Sequence, residues 1–128
     1  MRRCIGSRTL YIGMPASLML QEFGSQVWHA FGTPPYLVGS ALVRKDWRDV
    51  DVRLILDDDT WATWAFGAPG REHGNGKWVA LCLAFSALGK QMTDLPIDFQ
   101  VQQQTHANKL YPNQPRSALG IVDLRLVK

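Results

Sequence analysis

Asp49, Asp51 and Asp98 are the residues whose type and setting point most directly to chemistry. From Asp49 to Leu56 charged and aliphatic side chains alternate. A strand therefore sets Asp49, Asp51 and Arg53 on one face and Val50, Val52 and Leu54 on the other. Two carboxylates at positions i and i+2 of a strand stand about 7 Å apart and repel by about 2 kcal/mol at an effective dielectric of about 20. Magnesium removes that repulsion, because it prefers oxygen ligands, takes few carboxylates and fills its shell with water and phosphate oxygens. Ile97 to Gln102 repeats the pattern, with Asp98, Gln100 and Gln102 on one face and Ile97, Phe99 and Val101 on the other. Asp98 on a neighbouring strand completes a carboxylate set able to hold two such ions, which stabilise the attacking and leaving oxygens of an in-line displacement.

A second signal lies upstream. Gly39-Ser40 directly follows the apolar Tyr36-Leu37-Val38. Glycine lets the backbone approach a phosphate closely, and a serine hydroxyl donates a hydrogen bond to it. In the spacer Ala41 to Arg48, Lys45 and Arg48 are candidate contacts to a polyphosphate. Arg53, on the carboxylate face, is expected to form an ion pair there. Asp57, Asp58 and Asp59 suit a turn and a helix cap, at Asp58 or Asp59, better than they suit ligation. The aspartate pair alone could equally be a wet strand face. It is the order of strand, Gly-Ser, Asp-x-Asp strand, helix and Asp strand that points to a site.

That order resembles the DNA polymerase beta-like nucleotidyltransferase superfamily, through Leu37-Val38-Gly39-Ser40, Asp49-Val50-Asp51-Val52 and Ile97-Asp98-Phe99. The chain is most similar to the minimal single-domain members of bacteria and phages. It departs from the family pattern in its short spacer and in lacking an Arg-Gly pair there. The resemblance implies that Asp49 and Asp51 bind metal with a nucleoside triphosphate such as ATP, that Asp98 helps activate an acceptor hydroxyl, and that Gly39 and Ser40 hold phosphate. The implied metal is Mg2+, two ions, with Mn2+ as a substitute. The implied reaction moves a nucleoside monophosphate to an acceptor hydroxyl and releases pyrophosphate. The acceptor is left open among a protein side chain, an RNA end and a small molecule.

The elements that must position these residues follow from periodicity and breakers. Leu18, Leu20, Phe23, Val27, Trp28 and Phe31 recur at helical spacing over 15–31, and Gly32-Thr33-Pro34-Pro35 ends that helix. A strand is expected at 36–38, a short helix through Trp61 and Trp64, a glycine-rich loop over 67–76, and a helix over 77–91, apolar nearly all round and hence buried under the sheet. The 103–120 tail reads as a polar surface loop with one helical turn around Ala107, and 121–127 as an edge strand. The expected architecture is an α+β nucleotidyltransferase fold, a small mixed sheet backed by helices. One domain spans 1–128, with its motif core at about 36–102 and with 1–13 and 103–128 peripheral.

Composition is that of an ordinary globular chain, 46% hydrophobic and 20% charged, and 14 Lys and Arg against 11 Asp and Glu leave +3, short of a nucleic-acid signature. Cys4 and Cys82 have no metal-ligand spacing and read as reduced thiols. The start is not a signal-peptide core, and the apolar run Trp78 to Leu88 is too short to span a bilayer, so a cytoplasmic protein with no membrane contact is expected. No metal or catalytic role falls to His29, His73 or His106. The competing class is a partner-binding module of the same fold, like the antitoxin half of a toxin pair. Exposed Trp61, Trp64 and Phe66 would then serve a protein partner or homodimer.

Overall fold

The computed structural model describes residues 11–121. Helix α1 (Ala16–Phe31) buries Leu20, Phe23 and Val27 on one face, at the spacing that drew it from the sequence. It stops where Gly32 donates its N–H to the Trp28 carbonyl at 2.7 Å and the two prolines begin. Gly24 sits on the same face, where any Cβ would collide with the Leu119 side chain, so this glycine lets the tail cross the helix in close contact. Gly120 at that crossing donates its N–H to the Gln21 side chain at 2.7 Å, giving a buried polar group its partner.

Four strands follow among the described residues: β1 (Tyr36–Val38), β2 (Val50–Leu56), β3 (Ile97–Gln103) and β4 (Ser117–Ala118). They lie in the order β3-β2-β1-β4, with β1 antiparallel to both β2 and β4 and with β2 parallel to β3. The expected mixed α+β architecture is therefore present. Val50, Val52, Leu54 and Leu56 face the core, as do Ile97, Phe99 and Val101, while Asp51, Arg53, Asp98, Gln100 and Gln102 are half-exposed on the opposite face. Helix α4 (Gly76–Thr93) makes the crossover between the parallel strands and packs with α1 behind them. Phe23 and Phe85 both meet Phe99 there, at 6.2 and 5.2 Å between ring centres. Each fully buried side chain of this back layer contributes about 1.5–3 kcal/mol. The polar face is thus free to carry groups that stabilise nothing.

Helix α4, apolar nearly all round in sequence, is not buried all round, and it does more than lie under the sheet. Leu83 is 66% exposed and Leu88 40%. Trp78, Cys82 and Ser86, at i, i+4 and i+8, turn polar tips toward the open edge of β3. The Trp78 indole N–H donates to the Val101 carbonyl at 2.9 Å, and the Ser86 hydroxyl accepts from the Phe99 N–H at 2.9 Å. Burial pushes the Cys82 thiol up to about 11, while a hydrogen bond with the Val101 backbone opposes the shift, so the thiol stays protonated. An edge strand left open is a template for unwanted pairing, and α4 closes this one from its own chain.

Other expectations shift in detail. The cap of α3 (Asp58–Trp64) is Asp57, whose carboxylate accepts from the Thr60 N–H at 2.8 Å, rather than Asp58 or Asp59. Asp58 instead accepts from the Thr105 N–H at 3.2 Å and from its hydroxyl, tying α3 to α5 (Gln104–Leu110). Trp61 and Phe66 are 3% and 1% exposed and Trp64 stacks on Phe66, so these rings form core and not a partner surface. The tail holds a two-turn helix, α5, and its edge strand is β4; residues 122–127 lie outside the described part of the chain. A single 3-10 turn, Glu72–Gly74, interrupts the glycine-rich loop, and α2 (Ser40–Val43) occupies the start of the spacer. No helix among the described residues is long and apolar enough to cross a membrane.

Ser86→Ala strands the Phe99 N–H, and the expected destabilisation is about 1–2 kcal/mol in urea unfolding. A loss below the error of the measurement would mean that the edge of β3 is not sealed by this hydroxyl.

Candidate functional site

Strand direction brings the candidate residues to one end of the sheet. Because β1 runs against β2 and β2 runs with β3, the end of β1 meets the starts of the other two. Across them Val38 pairs with Asp51 and Asp51 with Asp98. Gly39-Ser40, leaving β1, therefore starts beside the Asp51 carboxylate. Gly39 has φ +78°, a conformation that side chains disfavour, and a Cβ there would run into the Asp51 carboxyl oxygen. Asp49 lies one residue before β2 and is exposed.

Arg53 joins the two strand carboxylates. Its guanidinium donates to the Asp98 backbone carbonyl at 2.6 Å and to the Asp98 carboxylate at 3.3 Å, and it lies 3.8 Å from Asp51. The expected ion pair on this face is present, made chiefly with Asp98. Burial raises the Asp51 carboxyl above the ordinary carboxylate range; Arg53 opposes the shift, and the charges of Asp98 and Asp49 add to it. Asp51 is thus a carboxylate whose ionisation is only partly compensated by its own chain. Among the described residues, no three acidic, histidine or cysteine side chains converge closely enough to hold one ion.

The remaining candidates are spread more widely. Lys45 and Arg48 are exposed in the loop before β2, where Arg44 pairs with Asp46 at 2.8 Å. A cleft of about 430 Å³ opens beside the carboxylates, lined by Asp49, Asp98, Lys90 and Ser86. Lys90 was not legible as a site residue, because nothing in the α4 sequence says which lysine meets the start of β3. Gln100 and Gln102 continue the Asp98 face into a cavity of about 220 Å³ shared with Asp51 and Arg53. No protein-family model, curated protein or solved structure matches this chain.

A group whose carboxyl is raised in the folded state contributes stability below its unfolded value and loses it as pH rises through the folded value. Asp51→Asn is therefore expected to raise Tm by a few degrees at pH 7, with the difference closing toward about pH 4. Thermal melts of both forms across that range provide the check. A variant less stable than the parent at every pH would show that Asp51 is held by its contacts and not strained by its charge.

Proposed function

We propose that this chain is a magnesium-dependent nucleotidyltransferase that moves a nucleoside monophosphate from a nucleoside triphosphate to an acceptor hydroxyl. The observation that carries the reading is the register joining Val38, Asp51 and Asp98, which sets the Gly39-Ser40 turn, Asp49, Asp51 and Asp98 at one end of one sheet. This is the arrangement that the motif order implies for the polymerase beta-like superfamily. Support also comes from the incomplete neutralisation of Asp51, which a cation would finish.

The donor set suits magnesium in kind, since it offers carboxylate oxygens and no soft ligand. Asp49, Asp51 and Asp98 would hold the metal, which when bound would supply charge neutralisation to the triphosphate. The chain's own residues do the rest. Gly39 leaves room for phosphate oxygens beside Asp51, and the Ser40 hydroxyl donates to them. Asp98, 45% exposed in its side chain, takes the proton of the attacking hydroxyl. Arg53, donating to both the backbone carbonyl and the carboxylate of Asp98, holds that side chain at the site. Lys90, on the wall of the cleft beside Asp49 and Asp98, adds positive charge on that side of the site. Catalysis of this kind is mostly positioning and charge neutralisation.

A second reading, a partner-binding module without turnover, is favoured by two observations. Arg53 already pairs with Asp98, and the three carboxylates do not converge as they stand. One assay separates the two. With magnesium and each labelled triphosphate, the enzyme is expected to release pyrophosphate. Asp49→Asn and Asp51→Asn should each cut the rate by more than the roughly 10–100-fold typical of losing an outer-shell partner of a metal. Tight magnesium-triphosphate binding without release would favour the module, and no metal-dependent binding would remove the site.

A further inference from the structure

We infer that a second copy of this chain docks on the exposed face of α4, with the two helices antiparallel across a two-fold axis. No charged residue occurs between Lys77 and Lys90. One side of that run packs on β3 and α1. The other leaves Ala80, Leu83, Ala84, Ala87 and Leu88 exposed, at the i, i+3, i+4, i+7, i+8 spacing of a single helix face. Leu83 is 66% exposed and Leu88 40%. The outward face of a helix in a globular protein ordinarily carries charged and polar residues, and an uncharged apolar one marks a contact surface. The middle of this face is alanine, with Leu83 along one flank and Leu88 along the other. Another helix can therefore approach to about 8 Å, the short end of helix packing distances.

The ends of the face say what covers it. A half-turn about an axis between Phe85 and Ser86 brings each residue level with the one equally far from the axis on the other copy. Ala84 of one copy then faces Ala87 of the other, Leu83 comes level with Leu88, Ala80 with Gln91, and Lys77 with Asp94. A surface complementary to itself in this way is what a two-fold interface requires, and an unrelated partner does not require it. The charges carry the point furthest, because both are misplaced in a lone helix. Lys77 stands in the first turn, at the positive end of the helix dipole, and Asp94 caps the last, at the negative end. Beside an antiparallel copy each lies next to the helix end and the side chain of opposite sign. They cannot satisfy one another within one copy, where the helix holds them about 25 Å apart.

Their contacts inside one copy are loose. Lys77 Nζ lies 5.8 Å from the Phe66 ring centre, and Asp94 lies 3.8 Å from Lys90, with side chains 99% and 64% exposed. Each is therefore open to a second partner. An 18-residue helix is about 27 Å long and about 10 Å wide, so the contact covers a few hundred Å² on each copy. That is at the low end of specific interfaces, and the dimer it supports is a weak one that forms at micromolar concentration.

Analytical ultracentrifugation of the full chain, from about 1 to about 500 μM, reads the association without reference to catalysis. The expected result is a monomer–dimer equilibrium with a Kd of about 10–100 μM. Ala84→Glu, at an exposed position, should leave the circular-dichroism melt of the dilute monomer near that of the parent and weaken the dimer at least about tenfold. Lys77→Glu and Asp94→Lys should each weaken it about tenfold, since each change acts twice across the two-fold. The double variant, in which the charges are exchanged, should return to within about threefold of the parent. Three results would overturn the inference. A monomer at every concentration would leave the face to residues 1–10, to residues 122–128 or to an unrelated protein. A dimer indifferent to Ala84→Glu would use another surface. A double variant no tighter than the single ones would mean that Lys77 and Asp94 do not meet across the axis.

Discussion

The parallel register of β2 with β3 sets Asp51 opposite Asp98, and the remainder of the site is arranged around those two like charges. A sheet gains nothing from such a pair. Carboxylates directly across from one another repel, and Asp51 is also partly withdrawn from water, which disfavours its charged form further. Arg53 on the next outward position of β2 is the chain's answer, and it is incomplete, because its shorter contacts go to Asp98. The polar face therefore keeps an unmet demand for positive charge. Gly39 belongs to the same constraint, since only a residue without a side chain leaves the Asp51 carboxylate its place.

Such a face is tolerable because the stability of the sheet comes from behind it. Val50, Val52, Leu54, Phe99 and Val101 are buried against α1 and α4. The crossover that makes β2 and β3 parallel has to be long, and α4 uses its length twice, covering the back of β3 and closing its open edge through Trp78, Cys82 and Ser86. The same helix carries Lys90 to the cleft beside Asp49 and Asp98. Support for the strands and charge for the site arrive on one element. This holds the lysine at a set distance along the helix from the residues that anchor it.

Much of this was legible in the residues. The period-two alternation of 49–56 and 97–102 assigns polar and apolar faces, since a strand has no other way to bury half its side chains. Gly32 and the following prolines stop α1, because prolines lack the amide that would continue it. What failed were inferences that treat a segment in isolation. Trp61, Trp64 and Phe66 would have served a partner had they been exposed, but the loop after α3 covers Trp61 and Phe66, the Trp61 indole N–H donates to the Gly67 carbonyl at 2.9 Å, and half-buried Trp64 stacks on Phe66. Asp58 looked like a cap, and it is drawn instead to Thr105, forty-seven positions away, leaving Asp57 to cap the helix.

By itself, the sequence determined which side chains share a face, where α1, β1, β2, α4 and β3 begin and end to within a residue or two, and which residue types are fit to bind a metal or a phosphate. Those are local properties, set by backbone geometry and side-chain chemistry. Tertiary structure alone decided that Asp98 stands opposite Asp51, that Arg53 divides itself between them, and that Lys90 meets the cleft beside Asp98. Strand order and direction are long-range choices, settled by how the apolar layers pack and by the crossover through α4. A residue's own neighbours in the chain carry no record of them.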